Sequence, residues 1–155
     1  MEDMDHSISP GYRHISIDDR GWIVVVRFID LDGILQIKGP SWQESCRDFH
    51  QLAYHHRKCF FVLDCQDQTI TEDLYLKTEI CISYLVRLLR EIKDAQGSLK
   101  LCNLPMPLSE AIRSIRLDRM FSIYDSLDDA LASIALDAER LRQTPSDGRD
   151  DEGVK

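Results

Sequence analysis

The residues best equipped for chemistry crowd one junction. The run VLDCQDQTITEDLYLKTEICI, from Val62 to Ile82, ends an apolar strand at Asp64 and passes Asp67, Glu72 and Asp73 before an amphipathic helix. Carboxylates at a strand end can hold a hard divalent cation such as Mg2+. Here all four acids come from one segment, which reads more simply as a solvated acidic loop, so no metal is expected. His50, His55 and His56 lack metal-ligand spacing, because the adjacent pair points in different directions on a helix and no third ligand is near. They suit an exposed helix end, where an imidazolium complements the dipole. There is no Gly-x-Ser-x-Gly, no cysteine with an evident histidine base, and no glycine-rich phosphate loop among the seven scattered glycines. Neither enzymatic activity nor a bound cofactor is expected.

Composition narrows the classes further. A chain of 155 residues with 43% hydrophobic content can build one domain around one core. Its net charge of −8 and scattered basic residues argue against nucleic acid, which needs clustered Lys and Arg. No apolar run approaches the ~20 residues that span a bilayer. The opening MEDMDHSISP lacks the basic and apolar parts of a signal peptide, so a cytoplasmic location is expected. The five cysteines (Cys46, Cys59, Cys65, Cys81, Cys102) form no C-x-x-C pair and mostly sit in apolar patterns, as buried reduced thiols do.

The elements that must position the junction follow from periodicity. Residues 1–10 read as a flexible lead-in, 11–142 as one domain and 143–155 as a disordered tail. Tyr12–Ile17 alternates, and Trp22–Ile29 is a β-branched strand, with the Asp18–Gly21 turn making them a hairpin. Ile34–Ile37 is a candidate short third strand. Ser41 and Glu44 have capping-box spacing for a helix with Trp42, Cys46, Phe49 and Ala53 inward. FFVL at Phe60–Leu63 reads as a strand covered on both faces. A helix is predicted from about Lys77 to Ala95, with Gly97 as its cap, then a strand at Ser98–Cys102. A short helix from Pro107 to Ile115, a strand at Phe121–Tyr124 and a helix capped by Ser126 and Asp129 complete the chain. This order implies an α/β fold: one mixed sheet, antiparallel in its N-terminal hairpin and parallel afterwards, flanked by about four helices.

Three segments together resemble the STAS domain of sulphate-transporter tails and bacterial anti-sigma factor antagonists. They are YRHISIDDRGWIVVVRFID, then FFVLD with the helix ending IKDAQGSLKLCNLP, and IRSIRLDRMFSIYDSLDDAL, which looks like the closing signature of these domains. The likeness runs from about Tyr12 to Ala135. It implies a protein-binding regulatory domain that captures an anti-sigma factor of the serine-kinase type and is switched off by phosphorylation of a serine at a helix mouth. A phosphate there adds bulk and about −1.5 to −2 charges.

This chain departs from that pattern at the switch. Counting back from Gly97, the family's Asp-Ser-Ser-Gly slot falls on Thr78-Glu79-Ile80-Cys81, which makes Glu79 the phosphoacceptor position. Counting forward from Asp64 gives Asp73 instead, because the intervening loop is several residues longer than usual. Either count puts a carboxylate where relatives carry a hydroxyl, so the usual switch is expected to be lost. Partial mimicry of phosphate and an ordinary acid in a first helical turn both remain open readings of that carboxylate. Thr78 is the candidate replacement phosphosite. Thr69 and Thr71 are expected to be exposed in the loop, and Ser83 hidden within the helix. Asp73, Leu74, Tyr75, Thr78 and Glu79 form the expected partner-binding surface. A non-switching scaffold, a homodimer, or a small-ligand-binding STAS domain using the strand-end crevice are the alternatives.

Overall fold

Two strands fold back on each other first. β1 (Ile15–Asp19) and β2 (Ile23–Phe28) pair antiparallel, with Ile17 opposite Val26. Gly21 turns the chain at φ +86°, a left-handed conformation that costs glycine nothing, and its amide is held by Asp19 Oδ1 at 2.9 Å. The first strand therefore starts later than the alternation alone predicts and runs into the acidic pair. The computed structural model describes residues 12–35, 41–70 and 74–143, so the expectations for 1–10 and 144–155 lie outside it.

After β2 the chain makes a single helical turn, α1 (Leu31–Ile34), where a third strand is predicted at its end. Asp30 decides this: its side chain accepts from the Gly33 amide at 3.1 Å, an N-cap that commits the following residues to helix. Gln36 and Ile37 lie outside the described residues. Helix α2 (Ser41–His55) buries Cys46, Phe49 and Ala53 as its pattern predicts. Glu44 turns away from a capping role toward His14, Oε1 to Nε2 at 2.9 Å, and so ties the approach to β1 onto α2.

β3 (Phe60–Asp64), β4 (Ser98–Cys102) and β5 (Ser122–Tyr124) add in parallel to β2, giving the order β1-β2-β3-β4-β5. The crossovers are α2, then α3 (Leu74–Asp94), then α4 (Met106–Ser114) with a 3-10 turn at Leu117–Arg119. Ser126 caps the final helix, α5 (Leu127–Gln143), its Oγ accepting from the Asp129 amide at 3.1 Å. Among the described residues five α-helices stand where about four are predicted, α1 being the extra one. No helix among the described residues is long and apolar enough to cross a membrane.

Alternation along the strands splits the interior in two. Val24, Val26, Phe28, Phe61, Leu63, Leu99 and Leu101 meet α2, α3 and α4 in the main core around Phe49, Tyr84, Leu88 and Ile112. Val25, Val62 and Cys102 face the other way and meet Ala130 and Ile134 of α5 in a smaller core, with Leu127 and Leu131 packed against it.

The end of α3 refines one expectation. Gly97 N donates to Ile92 O and Gln96 N to Lys93 O, both at 2.9 Å, a Schellman closure in which Gln96 rather than Gly97 takes the left-handed position, at φ 65°. Glycine is needed at 97 for a different reason. A Cβ there would sit 2.7 Å from the Cys59 carbonyl oxygen.

Candidate functional site at the strand ends

Parallel register brings Arg27 of β2 beside Asp64 of β3, and Cys102 of β4 beside Asp64 on the other side. Arg27 donates to Asp64 Oδ2 from Nε and from Nη2, each at 3.0 Å. Asp64 Oδ1 accepts from Asn103 Nδ2 at 2.9 Å and from the Gln66 amide at 3.0 Å. Asn103 reaches it from a left-handed backbone, φ 57°, one residue past β4. The Asp64 side chain is fully buried with four donors on its two oxygens. Such a carboxylate is a tie between three strand ends, with no lone pair left for proton transfer or a metal. Among the described residues no group of three or more His, Cys, Asp or Glu could hold a metal ion.

Two further ties shape this end of the sheet. Gln68 accepts from the Leu31 amide at 2.8 Å and donates to the Phe28 carbonyl at 3.1 Å, joining the loop after β3 to the loop after β2. Lys77, buried in the first turn of α3, donates to Asp32 of α1 at 2.9 Å. A buried ammonium needs such a partner, and the pair pins the start of α3 against α1.

Helix α3 begins three residues before the predicted Lys77, and this moves the candidate residues relative to its mouth. Leu74 and Tyr75 become its first two residues, their side chains outside what the structure describes, and Asp73 lies outside the described residues. Glu79 is exposed in the second turn. Thr78 faces inward at 9% exposure, because it shares the i, i+3, i+7 stripe of Cys81 and Leu85 that seals the core. Ser83 falls off that stripe and is exposed, contrary to the expectation that the helix hides it, while Thr69 is exposed as expected. Exposed apolar side chains gather at the same end of the sheet: Ile29 just past β2, Leu76 in the first turn of α3 and Met106 at the start of α4.

The thiols around this site are shut away. Cys65 and Cys81 are buried, and desolvation pushes the Cys65 thiol well up and the Cys81 thiol to about 12. Cys102 is likewise pushed up to about 12, by burial first and by the neighbouring Asp64 carboxylate second. Thiols held protonated in this way are poor nucleophiles.

The described residues build a five-stranded sheet with one antiparallel hairpin and three parallel additions, one face of it covered by α5, and a solved structure is similar to this fold. That structure is described as an anti-sigma-factor antagonist (STAS) domain protein from Planctomyces limnophilus. It aligns over 78% of this chain and 97% of its own length with a TM-score of 0.58. The chain has the STAS fold. Sequence identity between the two is 17%, so the likeness is one of fold. No protein-family model matches the chain, and no curated protein matches it. The hairpin, the parallel later strands and the mixed sheet expected from the order of elements are all present.

Proposed function

We propose that this STAS-fold chain is a protein-binding regulatory domain that acts in the manner of an anti-sigma factor antagonist in bacterial cytoplasmic signalling. In this reading the partner is an anti-sigma factor of the serine-kinase type or a related signalling protein. The docking surface is the sheet end that carries the start of α3. The observation that carries the reading is the character of that end: Ile29 at 57%, Leu76 at 39% and Met106 at 68% exposure lie at the same end of the sheet as the start of a helix whose first turn, Leu74–Lys77, contains no serine or threonine. Exposed apolar side chains grouped on one surface favour a protein partner.

The switch of the family is absent in this reading, since a carboxylate occupies the slot. The start of α3 at Leu74 favours Asp73, the residue before it in sequence, over Glu79 as the counterpart of the helix-mouth serine. Thr78 is withdrawn from the surface by its place on the buried stripe. The test is incubation with such a kinase and ATP followed by mass spectrometry. The native chain should gain no phosphate between Thr69 and Ser83, whereas Asp73→Ser should become an acceptor. Phosphate on Thr69, Thr71, Thr78 or Ser83 of the native chain would overturn the reading.

A further inference from the structure

A hollow lies at the opposite end of the sheet. It is a cleft of about 590 Å³ where β3 and β4 begin, walled on the other side by the second half of α5. Its floor is held in shape by backbone bonds: the Lys58 amide donates to Ala95 O at 3.0 Å and the Ser98 amide to Cys59 O at 3.2 Å. Phe60 gives it an aromatic wall, steadied edge-on by Trp22 with ring centroids 5.5 Å apart. In a chain of net charge −8, three of its four charged lining residues are cationic: Lys58, Lys100 and Arg140 stand against Asp137.

Lys100 is the unusual member. Its side chain is only 8% exposed, on the face of β4 under α5. The ammonium has three N–H donors to place. One goes to Asp137 Oδ2 at 3.0 Å and one, more weakly, to Tyr124 Oη at 3.4 Å, while the third has no hydrogen-bond acceptor among the described residues. The Tyr124 hydroxyl is itself held by Ser133 Oγ at 2.6 Å, so it cannot swing closer. A nearly buried cation with a spare donor beside an aromatic wall is half of an acid-binding site. Lys58, which pairs with no carboxylate among the described residues, sits exposed at the lip and supplies the other charge.

We propose that this cleft binds a small organic acid, its apolar body against Phe60 and its acidic group held between the Lys58 and Lys100 ammonium groups. The volume lies within the roughly 300–1,000 Å³ of ligand clefts, and the lining has the expected mix of apolar wall and a few convergent polar groups. The site is separate from the proposed docking surface and uses none of its residues.

Cys59 provides the readout, because it lines the cleft and is the one cysteine of the five that is not buried. The full chain is alkylated with N-ethylmaleimide in the presence of 3-phenylpropionate, of the neutral 3-phenylpropan-1-ol, or of inorganic phosphate, and modification of Cys59 is followed by mass spectrometry. The acid should slow alkylation about fivefold at roughly four times its Kd. The alcohol and phosphate should leave the rate unchanged. In the double variant Lys58→Ala/Arg140→Ala, changed only at exposed positions, the ratio of rates with and without the acid should fall to one while circular dichroism stays native. Absence of protection at the solubility limit, equal protection by the alcohol or by phosphate, or protection that survives in the double variant would each overturn the proposal. Leu76→Asp, at the other end of the sheet, should leave the protection intact.

Discussion

Arg27 and Asp64 lie side by side on β2 and β3, and the guanidinium closes on one carboxylate oxygen with two nitrogens at 3.0 Å, leaving the other oxygen to Asn103 and the Gln66 amide. The two residues differ sharply in exposure, 42% for the Arg27 side chain and 0% for Asp64. That asymmetry predicts unequal mutants. Arg27→Met strands a buried charge with only two neutral donors and should cost about 3 kcal/mol, the low end for a broken buried pair because Arg27 itself is partly exposed. With Asp64→Leu, Arg27 can turn to water, and the double variant should recover part of the loss. Urea unfolding of the four proteins gives the coupling, expected at about 1–2 kcal/mol. A coupling near zero would mean that the pair is a surface ornament.

The turn at the end of α3 makes two substitutions separable. Gly97→Ala puts a methyl group 2.7 Å from the Cys59 carbonyl, which belongs to the backbone and cannot step aside, so a loss of about 1–3 kcal/mol is expected. Gln96→Gly relieves a left-handed residue at φ 65° and should gain about 0.5–1 kcal/mol. Thermal melting of the two variants should therefore move in opposite directions. If Gly97→Ala melts with the native protein, the close approach at 97 is not real.

Much of the architecture is legible in the sequence because it is local. WIVVVRFI, FFVL and SLKLC announce strands by their apolar runs, and the Ser126–Asp129 spacing announces the start of α5. What escapes is set by distance or by brevity. Helix α1 is one turn long, too short for a helical period, and its last residue Ile34 with Leu35 looks like the start of a strand until the Asp30 cap is seen. The start of α3 is hidden because Leu74, Tyr75 and Leu76 sit in a stretch whose acids suggest a loop. The ties of the strand-end site cannot be read at all, since Arg27 and Asp64 are 37 residues apart and Asp32 and Lys77 are 45 apart. The burial of Thr78 was in principle readable. It follows once the stripe is traced from the true helix start.

The link between His14 and Glu44 should show in acid. The hydrogen bond from His14 holds the Glu44 carboxyl below its ordinary 4.5, with Arg13 and Arg47 adding smaller attractions. A carboxyl whose folded value is depressed stabilises the fold fully above its unfolded value, and that contribution fades as the pH falls through the folded value. The urea midpoint of the native protein should therefore drop more steeply between about pH 5 and pH 3 than that of Glu44→Gln. The difference should be modest, because Glu44 is solvent-screened. Parallel curves for the two proteins would remove the link from the account of acid stability.

The central claim is that the sheet end bearing the start of α3 docks a partner. The most direct measurement is calorimetric binding of a purified anti-sigma factor of the serine-kinase type to the native chain and to Leu76→Asp and Met106→Asp, both at exposed positions. The account predicts that the native chain binds and that each aspartate weakens binding by about tenfold or more, the scale of an apolar contact residue turned into a charge. Native binding that both variants match, or no binding by the native chain at all, would contradict it.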